Sequence, residues 1–169
     1  MLTSTTAPIK SYLSYTLPVV GAGWIIALTG LIDDVKELSA KKKMIGILVA
    51  ASLVWFLTDF RLNDFKIPFG GPLLHFEPWL SYLLTVIWIV AITNAVNLID
   101  GLDGLVSGVS IISLVTMGIV SYFFLPVPNL FLTMTIFVLV ASIAGFFPFN
   151  YHPAILYLGD TGALFIGFM

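Results

Sequence analysis

The chain has 169 residues, of which 59% are hydrophobic and only 9% are charged. A soluble domain is about one quarter charged, so this composition excludes a soluble globular domain, and its hydrophobicity excludes a disordered chain. The net charge of −2 leaves no basic surface for nucleic acid, and the absence of cysteine excludes disulfides and cysteine-based metal sites. A membrane protein remains.

Runs of uncharged residues divide the chain into predicted membrane spans. A bilayer core of about 30 Å needs roughly 20 apolar residues in a helix. Runs near this length occupy residues 12–32, 44–58, 79–99, 105–125 and 130–149, the second being the shortest. A sixth run begins after Asp160 and reaches the last residue, Met169. We therefore predict an all-α polytopic membrane bundle with five complete spans and the start of a sixth, in a single transmembrane domain over residues 1–169.

The connection between the second and third spans carries turn-forming residues. It contains Pro68, Gly70, Gly71 and Pro72, which favour turns. We predict a short β-hairpin within residues 61–76, in an outer loop.

Lysines set the predicted orientation of the spans. Four of them follow the first span, namely Lys36, Lys41, Lys42 and Lys43. The longer second connection has only Arg61 and Lys66. Because short cytoplasmic loops are enriched in Lys and Arg, we expect residues 33–43 to be cytoplasmic. If each run crosses once, five aspartates lie at that same face: Asp33, Asp34, Asp100, Asp103 and Asp160.

The first of these acidic sites is the pair Asp33 and Asp34 at the end of the first span. Two adjacent carboxylates repel each other near a low-dielectric boundary, unless a cation lies beside them. A divalent metal or a nearby lysine, such as Lys36 or Lys43, relieves that repulsion. The alternative is a helix end that exits into water, with Lys43 extended towards the lipid headgroups.

The second site lies at the end of the third span. A spacing of three places Asn94, Asn97 and Asp100 along one side of a helix, and Asp103 follows between two glycines. Carboxylate and amide oxygens suit a hard cation such as Mg²⁺ together with phosphate-linked ligands. The alternative is that the Asn side chains bond neighbouring helices and the Asp residues lie in a solvated turn.

The third site precedes the last run. Asn150 and His152 are followed by Asp160 between Gly159 and Gly162. A helix that starts there would present a partial positive charge that favours phosphate. The alternative is an ordinary helix start with Asp160 or Thr161 as the N-cap residue, and His152 is equally compatible with a plain loop position.

Several enzyme classes are excluded because the sequence has no Ser-His-Asp order, no P-loop, no dinucleotide fingerprint and no zinc-protease motif. A transporter that uses carboxylates is an alternative function, although transport sites usually lie near the middle of the membrane rather than at span ends. An inert membrane scaffold is a third.

Three segments together resemble a known family. They are the Leu-Ile-Asp-Asp sequence at residues 31–34 with the lysines up to Lys43, residues 94–105 and residues 150–162. In order and spacing they resemble the signature blocks of the polyprenyl-phosphate N-acetylhexosamine-1-phosphate transferases, of the glycosyltransferase family 4 type. The loop at residues 66–72 and residues 161–164 look closer to the branch that uses UDP-GlcNAc than to the branch that uses UDP-MurNAc-pentapeptide.

This resemblance implies a multi-pass protein of the plasma membrane with a cytoplasmic active site and Mg²⁺ or Mn²⁺ as cofactor. It implies transfer of a sugar-1-phosphate from a UDP-N-acetylhexosamine to undecaprenyl phosphate, with release of UMP, to start a cell-envelope polysaccharide. The implied catalytic residues are Asp33, Asp34, Asp100 and Asp103. The implied substrate-binding residues are Lys43, Asn94, Asn97 and Asn150, and the implied metal ligands are Asp160 and Asp100. The partners are these two substrates and the lipid bilayer, and a homo-oligomer is compatible with the sequence.

The sequence also departs from the family pattern. Family members have further spans at both ends and a downstream loop rich in His, so we expect this chain to be part of a larger multi-span transferase with little activity alone. Position 163 is Ala where many relatives have Ser, which removes any hydroxyl contribution at that position.

Overall fold

The computed structural model describes the backbone of residues 6–125 and 130–169 and the side chains of residues 16–125 and 130–169. In this part of the chain six helices occur. They are α1 (Thr6–Lys36), α2 (Ala40–Leu57), α3 (Pro78–Ile99), α4 (Leu105–Phe123), α5 (Leu130–Asn150) and α6 (Gly159–Phe168). Strands β1 (Asp64–Lys66) and β2 (Leu73–His75) lie between α2 and α3. The prediction of a helical membrane bundle is confirmed.

Four of the described helices are long and apolar enough to cross a membrane, namely α1, α3, α4 and α5. Only 17–28% of the apolar stretch of each is buried within the protein, so most of its side chains face outward, as a lipid environment requires. Helix α2 begins with three lysines, which leaves a shorter apolar stretch from Met44 to Leu57.

The predicted hairpin is present. β1 and β2 pair antiparallel, with Phe65 opposite Leu74. Asp64 and His75 stand opposite each other and their exposed side chains are in contact, at 2.5 Å between Asp64 Oδ1 and His75 Nδ1. The Pro and Gly residues between the strands form the turn that their composition predicts.

The chain divides into two compact units. The first contains residues up to Ala95 together with Asp160–Met169, and the second contains Val96–Gly159. In the first unit, small residues of α1 and α2 such as Ala22 and Ala50 are fully buried beside Ile26 and Ile47. Leu164 of α6 belongs to the same core. Small side chains let helices approach closely, which van der Waals packing rewards in a membrane.

The second unit is built on the packing of α4 against α5. A Cβ atom at Gly118 would meet the ring of Phe137 at 2.9 Å, so the glycine allows the two helices to approach closely. Thr133 donates a hydrogen bond to Ser121 across the same interface, at 3.1 Å between the hydroxyl oxygens. Gly104, just before α4, has a φ of +72°, a left-handed conformation that glycine adopts without strain.

Candidate functional site

The end of α1 and the start of α2 lie side by side in the first unit. A Cβ atom at Gly46 would collide with the side chain of Thr29, so α1 and α2 approach closely at these two positions. Asp33 lies one turn beyond Thr29 in α1, and Lys43 lies just under one turn before Gly46 in α2. The connection is held by Asp33 itself, whose Oδ1 accepts a hydrogen bond from the Leu38 backbone N–H at 2.6 Å. The antiparallel packing therefore places Lys43 next to Asp33.

Lys43 bridges two carboxylates that are distant in sequence. Its Nζ lies 2.6 Å from Asp33 Oδ2 and 2.5 Å from Asp160 Oδ2. The Asp33 side chain is only 8% exposed. Of the three consecutive lysines, Lys41 and Lys42 are exposed to solvent and Lys43 is half-buried. Burial by itself lowers the pKa of the Lys43 ammonium, but hydrogen bonds to Asp160 and Asp33 outweigh burial and raise that pKa. Lys43 is therefore the cation that lies beside the Asp33 and Asp34 pair, and it binds Asp33.

Asp34 turns towards the first turn of α6. Its Oδ1 accepts a hydrogen bond from the Asp160 backbone N–H at 2.8 Å, and its Oδ2 accepts one from the Thr161 backbone N–H at 3.0 Å. The Thr161 hydroxyl also donates to Oδ2, at 2.5 Å. Backbone N–H groups at the start of a helix have no partner within the helix. Two of these groups, the N–H groups of Asp160 and Thr161, are satisfied here by Asp34 of α1.

The end of α3 holds the predicted Asn and Asp residues. Asn94, Asn97 and Asp100 are half-buried, whereas Leu98 between them is 84% exposed. This pattern agrees with the spacing of three along one side of the helix. The Asn94 side-chain amide donates a hydrogen bond to the backbone carbonyl of Val90, at 2.8 Å, within α3.

In the second unit, Asp103 closes the loop that follows α5. Its Oδ2 accepts a hydrogen bond from the Ala154 backbone N–H at 3.1 Å and lies 2.9 Å from the Nδ1 of the exposed His152. The hydrogen bond from Ala154 and the contact with His152 hold the pKa of the Asp103 carboxyl below its usual value. Asp103 therefore stays ionised and fixes the loop from outside the apolar helices.

Asn150, at the end of α5, holds the same loop from inside. It is 4% exposed. Its Oδ1 accepts a hydrogen bond from the Ser107 hydroxyl at 2.7 Å, and its amide nitrogen donates to the Leu156 carbonyl at 3.0 Å. Asn150 thus connects the start of α4 to the loop before α6.

The donor set of the first unit fits a hard cation. Asp33 and Asp160 share the Lys43 ammonium, and the partly exposed carboxylate of Asp160 is the kind of oxygen donor that such a cation takes. Mg²⁺ is commonly held by one or two carboxylates together with water and substrate phosphates. The described residues contain no group of three or more His, Cys, Asp or Glu side chains placed for a metal, so the remaining ligands would have to come from such a substrate and from water.

The structure brings together four of the predicted site residues, Asp33, Asp34, Lys43 and Asp160, in the first unit. Asn94 belongs to the same unit, at the end of α3. Asn97, Asp100, Asp103 and Asn150 belong to the second unit. The location of all five aspartates at one membrane face stays a prediction, as do the individual roles.

Sequence reasoning missed two residues that support these sites, Gly30 and Ser107, and it named Thr161 only as a helix cap, not as a donor to Asp34. Ser107 is fully buried and pairs with Asn150. A signal for Gly30 was available, because Gly30 lies four residues before Asp34 and so on the same side of α1.

Comparison with known proteins identifies the family. Residues 16–169 match the model of glycosyl transferase family 4. A probable undecaprenyl-phosphate N-acetylglucosaminyl 1-phosphate transferase of Bacillus subtilis is 42% identical over 154 residues, covering 90% of this chain and 41% of the relative. A phospho-N-acetylmuramoyl-pentapeptide-transferase of Staphylococcus saprophyticus is 40% identical over 153 residues, covering 83% and 46%.

The similarity extends along nearly the whole chain in a third case. A phospho-N-acetylmuramoyl-pentapeptide-transferase of Listeria innocua is 32% identical over 184 residues, covering 96% of this chain and 55% of the relative. The chain spans about half the length of the curated relatives it matches. The apolar helices and these matches together indicate a multi-pass membrane protein, and the chain belongs to glycosyl transferase family 4.

Proposed function

We propose that the protein containing this chain transfers GlcNAc-1-phosphate from UDP-GlcNAc to undecaprenyl phosphate at the cytoplasmic face of the plasma membrane, with release of UMP. The observation that carries the proposal is the cluster of Asp33, Lys43 and Asp160, in which a lysine ammonium and two carboxylates meet at the ends of apolar helices. A lipid phosphate can reach only a site at such a membrane boundary. The name of the Bacillus subtilis relative supports the same substrates.

The reaction joins two anions, which sets what the residues must do. An oxygen of the lipid phosphate attacks the phosphorus that carries the sugar, and the bond from that phosphorus to the UMP oxygen breaks. The acceptor phosphate is already ionised, so the main tasks are alignment of the two substrates and neutralisation of charge.

Each cluster residue has a proposed part in this reaction. Lys43 steadies phosphate, with Asp33 holding the ammonium in place. Asp160 would hold Mg²⁺ or Mn²⁺, which would neutralise charge on the pyrophosphate. The residues proposed to hold metal or nucleotide in the second unit are Asn97, Asp100 and Asp103.

The donor sugar separates this proposal from the nearest alternative. The Staphylococcus and Listeria relatives carry the name phospho-N-acetylmuramoyl-pentapeptide-transferase, so the second candidate donor is UDP-MurNAc-pentapeptide. The preference for UDP-GlcNAc rests on the resemblance of residues 66–72 and 161–164 to the branch that uses it.

The test measures UMP release and lipid-linked radiolabel with the complete gene product in detergent and undecaprenyl phosphate. We expect transfer from UDP-GlcNAc that stops with EDTA, returns with Mg²⁺ and falls at least about a hundredfold in Asp160→Asn. Lys42→Met is the matched control, because Lys42 is exposed and next to Lys43; it should keep full activity. Transfer only from UDP-MurNAc-pentapeptide would contradict UDP-GlcNAc as the donor. Solute flux in proteoliposomes without UMP release would establish the transporter alternative.

A further inference from the structure

The exposed carboxylate of Asp34 accepts three hydrogen bonds from the start of α6. Three donors reach it, from the backbone of Asp160 and from the backbone and hydroxyl of Thr161. A carboxylate has about four acceptor positions, so most of its capacity is used. Its charge also faces the positive end of the α6 dipole, which strengthens each of these bonds.

Gly30 brings the same part of α6 close to α1. A Cβ atom at Gly30 would overlap the backbone of Asp160 and Thr161, with its nearest atom, Thr161 Cα, only 2.5 Å away. Only glycine therefore permits this approach. Gly30 and Asp34 lie four residues apart, on one side of α1, and both contact the same two residues of α6.

The side chain of Asp160 depends on this docking. Its backbone N–H is held by Asp34, while its carboxylate reaches Lys43 on α2. A shift of the first turn of α6 would move the carboxylate away from Lys43, because the two groups belong to the same residue. The position of Asp160 is thus set from α1.

We propose that Asp34 is a positioning residue: with Gly30 it docks the first turn of α6 on α1 and so holds the Asp160 carboxylate at Lys43. Its effect on catalysis rests on the proposed function, whereas the docking itself does not. The resemblance implies that Asp34 is a catalytic residue, but a general base needs an acceptor position aimed at a substrate, and three of about four positions on Asp34 already face α6.

The docking is tested by hydrogen exchange of this chain in detergent, read by mass spectrometry for peptides of α6 and of α4 with α5. We expect Asp34→Ala to speed exchange in α6 about tenfold, the effect of one lost N-cap, and to leave α4 and α5 unchanged. Thr161→Val should give a smaller change of about threefold, because it removes one of the three donors. Glu37→Gln is the matched control: it removes an exposed charge near the end of α1 that bonds no other described side chain.

Two outcomes would overturn the docking. One is unchanged exchange in α6 of Asp34→Ala and Thr161→Val. The other is equal acceleration in α4, α5 and α6, which would indicate general loosening rather than a local contact. If Asp34→Ala does not fold, Gly30→Ala replaces it with the same expectation of faster exchange in α6, because its Cβ would overlap the backbone of Asp160 and Thr161.

The catalytic consequence is tested with the complete gene product. A positioning role predicts that Asp34→Asn retains more than about a tenth of kcat with an unchanged pH profile, because an amide oxygen still accepts backbone hydrogen bonds. It also predicts a deeper loss of kcat in Asp34→Ala. Loss of the acidic limb of the pH profile in Asp34→Asn would show a general base and overturn the positioning role. A wild-type protein without transfer activity would count against the proposed function alone, because the exchange result stands by itself.

Discussion

The two units each hold a charged cluster, and the clusters satisfy their carboxylates in different ways. In the first unit Asp33 is 8% exposed and is countered by the Lys43 ammonium, which Asp160 shares. In the second unit Asp103 lies outside the apolar helices and is countered by a backbone N–H and the exposed His152. Both clusters hold chain segments together, but only the first depends on a full opposite charge away from water.

This difference predicts which substitutions lower the stability of the protein most. Removing one partner of a buried ion pair leaves a charge without compensation, whereas an exposed pair is replaced by water at little cost. We expect the first cluster to be sensitive to loss of charge and the second to be sensitive mainly to loss of its neutral hydrogen bonds.

The largest effect is expected from Lys43→Met. This change leaves the buried Asp33 carboxylate without its cation and beside Asp160, so we expect a loss of about 3 kcal/mol in the free energy of unfolding. The measurement is denaturant unfolding in mixed micelles with EDTA present, so that no divalent cation replaces the ammonium. Lys42→Met, at the exposed neighbour, should change stability by less than about 0.5 kcal/mol. Equal effects of the two substitutions would show that the ion pairs of Lys43 contribute nothing.

An intermediate effect is expected from Asn150→Ala in the second unit. It leaves the Leu156 carbonyl without its amide donor and the buried Ser107 hydroxyl without Asn150 Oδ1, at a cost of about 2 kcal/mol. The same unfolding measurement applies, with Ser142→Ala as control because Ser142 is exposed and bonds only its own helix. In Ser107→Ala the further loss on changing Asn150 should be smaller. Fully additive losses would contradict the coupling.

The smallest effect is expected from Asp103, and it depends on pH. Because the folded protein lowers the pKa of this carboxyl below its ordinary 3.8, Asp103 contributes stability above that value. The contribution is lost as the pH falls through the folded-state pKa. Stability measured between about pH 7 and pH 3 should therefore fall less steeply at the acid end in Asp103→Asn than in the wild-type protein. Identical curves would show that the contacts with Ala154 and His152 do not favour the ionised form.

Much of the fold follows from the sequence because each feature has a local cause. The apolar runs predicted the helices, and the Pro and Gly residues at 68–72 predicted the hairpin turn. The same holds for the requirement that a cation lie beside Asp33 and Asp34, since charge repulsion between adjacent residues is visible in the sequence. The identity of that cation as Lys43, rather than Lys41 or Lys42, was decided by the direction each side chain takes from the first turn of α2.

Other parts of the site have no local cause. The sequence pattern at Gly159 to Gly162 predicts a helix start, but it does not show that the capping carboxylate comes from Asp34, 126 residues from Asp160. The spacing of four places Gly30 and Asp34 on one side of α1, but the sequence does not show that the backbone of α6 packs against Gly30.

The sequence alone determined that this protein is a set of apolar helices with aspartates at their ends, because a chain in lipid must satisfy its backbone within each helix and keep charges near water. The tertiary structure alone decided which groups bind the carboxylates of Asp33, Asp34 and Asp160. Those partners come from separate helices, and they meet only where small residues let the helices pack closely enough for a carboxylate on one to reach an ammonium or a free N–H on another.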